Sequence, residues 1–221
     1  TLVDEIVNLG VLQASNPELE ITSVDIEMLC QQIVNSLNDF AKQRQQELRL
    51  SVEPGNRIWL LDKEKSKQAL YYLVMSVLES SEAGGELRIH VSRRHNHLNI
   101  AVWISHPWLG EGLPQVEVYS SSVANALTLE QDSWGVVQHR IEEPLLGDRI
   151  LTSAALMSVL EQTQTEVTPK EQKDKSPREN LGLLLTCHLV ELHGGQVIIQ
   201  GSADGGYRYL MKLPKINADN V

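Results

Sequence analysis

The run from Asn180 to Pro214, NLGLLLTCHLVELHGGQVIIQGSADGGYRYLMKLP, constrains the fold of this chain more than any other stretch. Leu181, Leu184, Leu185, His188, Leu189 and Leu192 recur at spacings of three and four, which sets one face of a helix against a core. Gly194 and Gly195 end that helix, because glycine takes the left-handed backbone conformation without steric cost. Two strands follow. Val197-Ile198-Ile199 and Tyr207-Arg208-Tyr209-Leu210-Met211 are rich in β-formers, and Asp204-Gly205-Gly206 between them is a hairpin turn signal.

Upstream, Asn16 to Glu20 reads as a polar turn and Leu19 to Ser23 as a short strand. A helix spans about Asp25 to Gln45, with Ile26, Leu29, Cys30, Ile33, Leu37 and Phe40 on one face. Strands at Glu47 to Val52 and Arg57 to Leu61 are joined by the Pro54-Gly55 turn. Asp62 is placed to cap the next helix, whose buried stripe is Leu70, Leu73, Val74, Val77 and Leu78. Glu86 to Arg94 and Leu98 to Ile104 alternate as a strand pair. Beyond them Val116 to Tyr119 reads as a strand and Ile150 to Leu160 as a helix, while Glu161 to Arg178 has almost no apolar residues and reads as a flexible lid or linker. Residues 1–15 carry Leu2, Ile6 and Leu9 at coiled-coil-like spacing, as an N-terminal helix does. The expected fold is a two-layer α/β sandwich, a mixed sheet of about five strands with helices on one face.

Composition narrows the functions open to such a fold. The 221 residues carry 19 basic against 29 acidic side chains, a formal net charge of −10, which disfavours nucleic acid and membrane-surface partners. No apolar run approaches the roughly 20 residues of a transmembrane helix, and no signal-peptide pattern opens the chain, so a cytoplasmic location is expected. Thr1 stands where an initiator methionine would, as in a fragment of a longer protein. Cys30 and Cys187 fall on apolar helix faces and read as reduced core residues. Of seven histidines, His95 and His97 face roughly the same way, but no third ligand at fixed spacing joins them, so no metal site is expected.

The order of elements, together with Gly182-Leu183, His193-Gly194-Gly195, Gly206 and Leu213-Pro214, resembles the end of the ATP-binding domain of sensor histidine kinases. That domain belongs to the superfamily of gyrase, the ninety-kilodalton heat-shock chaperone and the mismatch-repair ATPases. The resemblance implies that residues 1–15 are the tail of a dimerisation and phosphotransfer hairpin helix. Residues 16–221 are then the ATPase domain, with a lid or insertion at about 112–179. It also implies two-component signalling, a response regulator or other signalling protein as partner, and a homodimer in the full-length protein.

Three motifs of that family depart from pattern. In the helix after Asp62 the family carries N-L-x-x-N-A, with an asparagine that binds the Mg²⁺ bridging the nucleotide phosphates; the two asparagine positions are Tyr72 and Ser76. Serine is shorter and would reach the ion through water, and a phenol is a poor general base. In V-x-D-x-G-x-G-I, the aspartate that reads the adenine amino group falls at Ile104, and the glycines at His106 and Trp108. No aspartate occurs from Trp103 to Gln115. In the phosphate loop G-x-G-L the first glycine is Asn180, while Gly182 is kept. None of the histidines has the context of the family's phospho-acceptor, and no catalytic residue is assigned.

The leading expectation is therefore a degenerate domain, a pseudokinase without a bound cofactor. The alternative is an active kinase with a variant ATP and Mg²⁺ site built from Ser76, Asn180 and Gly182. A third reading is a site reshaped for another ligand between Trp108 and the lid. Separately, Trp103 and Trp108, close to where the base would lie, stack on something planar or fill the core, the core being favoured.

Overall fold

In the computed structural model of the chain, the described residues are 18–81, 83–94, 96–106, 110–111, 147–158, 177–202 and 206–216. The expected helix at 1–15, the strand at 116–119, the lid at 161–178 as far as residue 176, and Trp108 lie outside them. In chain order the elements are β1 (Ile21–Asp25), α1 (Ile26–Gln43), β2 (Glu47–Val52), β3 (Ile58–Asp62), α2 (Lys63–Ser80), β4 (Glu86–Arg94) and β5 (His97–His106). They continue as β6 (Gly110–Glu111), β7 (Gly147–Leu151), α3 (Pro177–Leu192), β8 (Gln196–Ser202) and β9 (Gly206–Pro214).

Among the described residues the main sheet has seven strands, in the order β2-β4-β5-β9-β8-β7 with β6 added beside β5. It is mixed, since β2 and β4 run parallel and the other pairs antiparallel. The fold is the expected α/β sandwich, with more strands than the expected five: β6 is two residues long, and Ile150 and Leu151 of β7 read in sequence as the start of a helix. The register sets the faces. Leu98, Ile100, Val102 and Ile104 of β5 share the core with Leu87, Ile89 and Val91 of β4 and with Tyr209, Met211 and Leu213 of β9. Alternate residues turn away from the helices. Among these, Trp103 faces Arg88 across the strand pair and lies 6.0 Å below the Arg208 guanidinium.

Two sequence expectations change. The strand after Pro54-Gly55 does not pair with β2; β3 leaves the sheet and forms a separate two-stranded ribbon with β1. The β2 edge continues along β4 instead, with the Glu53 N–H donating to Val91 O at 2.9 Å, so the chain has already turned before β3 begins. The expected helix at 150–160 starts later, because Ile150 and Leu151 end β7. Among the described residues of this stretch 153–158 are helical, capped by Thr152, whose Oγ1 accepts from the Ala155 N–H at 3.2 Å.

Helix α3 is buried on every side of its middle turns rather than on one face: Leu183, Leu184, Leu185, Thr186, Cys187, Leu189 and Val190 are all buried. It packs against α2, β8 and β9, and its Glu191 carboxylate accepts from Ser153 N–H at 2.8 Å. Cys30 and Cys187 are buried and joined in no disulfide, and burial pushes the Cys30 thiol up to about 12 despite the opposing charge of Arg93.

Asp62 joins the ribbon to the helices. Its Oδ1 accepts from the Lys65 N–H at 2.9 Å and caps α2, and its Oδ2 accepts from Glu20 N–H at 3.0 Å and Lys65 Nζ at 2.6 Å. Its own N–H donates to His193 Nε2 at 3.3 Å, past the end of α3. Burial pushes the carboxyl up, but the Lys65 and Glu20 donors outweigh it and hold the pKa below the usual carboxylate value. Because it titrates lower folded than unfolded, this stability is fully present above about pH 4 and is lost as pH falls through the folded value. Urea titrations will show Asp62→Ala losing about 2–4 kcal/mol, the cap plus a stranded Glu20 N–H. Asp62→Asn will lose less at neutral pH, and its stability will fall less steeply below pH 4 than the wild type's.

Candidate nucleotide site

The four positions where the family binds phosphate and metal lie on α2 and α3, and these helices meet there. Ser76 is 3% exposed, in the fourth turn of α2. A Cβ built on Gly182 of α3 would collide with Ser76 Oγ and stand 3.5 Å from the Tyr72 carbonyl oxygen. The glycine is thus required by a helix–helix approach, not by a positive φ. Thr186, one turn further along α3, tightens the same seam: its hydroxyl lies 3.2 Å from Ala69 O on α2 and 2.9 Å from Gly182 O. Tyr72 is half-buried and packs edge-on against Tyr71, with ring centroids 5.7 Å apart at 79°.

The phosphate loop has also become helix. Because α3 begins at Pro177, Asn180 sits within its first turn and Gly182 lies beyond the unpaired first-turn amides. Amides that the glycine loop would aim at an anion are instead spent on the helix ladder from Leu181 onward.

At the adenine position, Ile104 is fully buried and belongs to the core, opposite Leu87. His106 ends β5 and pairs with Gly110 of β6. Gly206 starts β9 and pairs with Ser202, closing the hairpin around residues 203–205, which lie outside the described part. The structure therefore brings Tyr72, Ser76 and Gly182 together and leaves Ile104 in the core. Trp103 is buried on the sheet face away from the helices, under the Arg208 guanidinium and apart from the main core cluster. Donor by donor, these residues do not fit a Mg²⁺-nucleotide, since the position for the base reader is apolar and sealed and the position for the metal ligand is a buried hydroxyl against a helix. Among the described residues no group of three His, Cys, Asp or Glu side chains is placed to hold a metal.

His193 has a role that its motif did not disclose. A helix C-terminus favours positive charge, yet the backbone N–H of Asp62 can only donate, so Nε2 accepts and the proton sits on Nδ1, 2.7 Å from Leu189 O. Ser66 Oγ adds a contact to Nε2 at 3.2 Å. Gly194 follows at φ +69°, and a Cβ on Gly195 would collide with Lys212 O of β9. The H-G-G motif is thus a clasp between α3, α2 and the last strand. Thr186 and Ser66 were missed from sequence; a small hydroxyl residue on an otherwise apolar helix face is the signal that marks Thr186.

A mixed sheet with three helices on one face, a separate β1–β3 ribbon, and the H-G-G clasp define the fold of histidine-kinase catalytic, ATP-binding domains. No family profile matches the chain. Full-length ShkA in complex with AMPPNP superposes with a TM-score of 0.63 at 18% identity, over 98% of this chain and 36% of that one. The Acinetobacter baumannii histidine kinase AdeS gives 0.57 at 13%, over 98% and 78%. The catalytic domain of histidine kinase ThkA gives 0.52 at 14%, over 89% and 98%. Among curated proteins, the circadian input-output histidine kinase CikA of Synechococcus elongatus is 21% identical over 216 residues. That match takes in 97% of this chain but spans only 23% of CikA.

The helix seam predicts a coupled pair of substitutions. Gly182→Ala will cost about 1–3 kcal/mol by overpacking against Ser76. Adding Ser76→Gly will recover most of that loss, a coupling of at least about 0.5 kcal/mol in a double-mutant cycle read by chemical denaturation.

Proposed function

We propose that the chain is the ATPase-type domain of a histidine-kinase-like protein of two-component signalling whose nucleotide site is degenerate. In this reading it binds ATP weakly or not at all and acts through protein contacts, with a response regulator or another signalling protein as partner. The protein is cytoplasmic and, in its full-length form, a homodimer joined through the hairpin of which residues 1–15 are the tail. Among the described residues no helix is long and apolar enough to cross a membrane, which is compatible with that location.

The observation that carries the proposal is the seam between Ser76 and Gly182. In the family's pattern the first of these positions holds an asparagine arm that reaches a metal between the helix and the phosphates. Here it holds a hydroxyl, 3% exposed, pressed on the glycine of the opposite helix. A nucleotide held through the Ser76 position would have to part α2 from α3 before its metal met that hydroxyl. Ile104 supports the same reading from the other side of the site, since without a carboxylate there the adenine amino group loses a charge-assisted hydrogen bond of about 1.5–3 kcal/mol.

Calorimetric titration with ADP and AMPPNP, with and without Mg²⁺, tests it. The expected result is no binding heat at about 1 mM nucleotide, an affinity no better than about −4 kcal/mol. Micromolar, Mg²⁺-dependent binding overturns the proposal in favour of an active kinase with a variant site. Restoring the carboxylate with Ile104→Asp will destabilise the fold by roughly 3 kcal/mol or more, because it buries a charge without a partner, and will bring no nucleotide affinity.

A further inference from the structure

Three large hydrophobic side chains are exposed among the described residues, and two of them, Met28 at 58% and Ile58 at 48%, border the same residue. Ile58 is the partner of Asp25 across the β1–β3 ribbon, and the Met28 N–H is held by the Asp25 carboxylate at 3.1 Å. Strand alternation puts Ile21, Ser23 and Asp25 on one face of the ribbon, together with their partners Leu60 and Ile58. On its other face Val24, Trp59 and Leu61 enter the core. The outer face therefore carries an apolar line, Ile21, Leu60, Ile58, that runs on to Met28.

The chain itself supplies a complement to this line. Lys65 Nζ holds Glu18 O at 3.2 Å, and the Glu20 N–H is held by Asp62, so the polypeptide enters the ribbon at its Ile21 end. Met28 and Ile58 stand at the opposite end. Upstream of that entry, Leu2, Ile6 and Leu9 recur at helical spacing, and Asn16-Pro17 separates them from β1. From residue 21 to residue 25 a strand advances about 13 Å at roughly 3.3 Å per residue. From residue 9 back to residue 2 a helix advances about 10.5 Å at 1.5 Å per residue. These lengths correspond, so a helix over residues 2–9 that reversed ahead of β1 would bring Leu9 over Ile21 and Leu60, and Leu2 over Ile58 and Met28. The same placement would set Asp4 and Glu5 toward the end that bears Arg57, whose side chain is 53% exposed beyond its pairing with Asp25 and Glu27.

We propose that the outer face of the β1–β3 ribbon is the docking site of the chain's own residues 1–15, seated through Leu2, Ile6 and Leu9. Docking fixes the orientation of the domain relative to whatever precedes it, and does so without reference to nucleotide. A failure of the nucleotide reading leaves it standing, and the reverse also holds.

Hydrogen exchange on the 221-residue chain, with Met28→Asp and Ile58→Asp as variants, tests the docking. Both side chains are exposed, so the variants keep a cooperative melt and the sheet's own amide protection, which are checked first. Amides of residues 3–12 are expected to exchange at least about tenfold more slowly than an unstructured peptide in the wild type, and to lose that protection in both variants. Unprotected amides in the wild type overturn the proposal. So does protection that neither variant disturbs, and so does protection that fades on dilution, which assigns the stripe to a second copy of the chain.

Discussion

The close approach of α2 and α3 is the constraint from which the rest of the site follows. Two helices lying on one sheet ordinarily keep 8–10 Å between their axes, a distance set by the side chains at the contact. Here the contact residue of α3 is Gly182, and Ser76 of α2 fills the space its Cβ would take. Thr186 then reaches the Ala69 carbonyl across the seam. Any side chain at position 182 would push α3 away from Ser76, and α3 is fastened at its far end by the His193 contacts.

The H-G-G motif belongs to the scaffold for reasons that involve no ligand. His193 accepts from the backbone amide of the residue that caps α2, Gly194 supplies the positive φ that turns the chain out of α3, and Gly195 lets β9 approach at Lys212. Each contact joins parts of the chain that are far apart in sequence. A domain can therefore retain this motif while its nucleotide positions change, because the motif's partners are Asp62, Ser66 and Lys212 and not a phosphate.

Fold and site were legible in the sequence to different depths, and particular residues show why. Helix α1 was readable from apolar periodicity and α2 from periodicity together with the Asp62 cap, while Asp25, read as the start of α1, is the residue before it and accepts its first-turn amide. The β4–β5 pair was readable from alternation alone. The partner of β3 was not, since the turn at Pro54-Gly55 favours a hairpin with β2, and only the long-range match of Val24 with Trp59 and Thr22 with Leu61 draws β3 to β1. The amphipathic reading of α3 failed for a related reason: leucines on all sides carry no periodicity that distinguishes a helix buried all round from one buried on a single face. At the site, residue identities at positions 72, 76, 104 and 180 were plain from the sequence. What they touch was not, because the crossing of α2 over α3 decides whether Ser76 faces a cleft or a helix.

A functional residue in a core usually costs stability, because it holds polar or charged groups ready for a partner that is absent in the unliganded chain. Ile104 and Ser76 carry no such cost. Ile104 adds its whole side chain to the apolar layer between β5 and the helices, worth about 1.5–3 kcal/mol relative to leaving it exposed. Ser76 gives α3 a surface to close on, and Gly182, whose counterpart in the family's pattern opens the way to phosphate, here lets two helices touch. Ile104, Ser76 and Gly182 are thus contacts within the protein, and the apolar layer around them closes on the chain's own side chains. On the sheet face away from the helices Trp103 is itself buried, under the Arg208 guanidinium, whereas the outer face of the ribbon leaves Ile58 exposed.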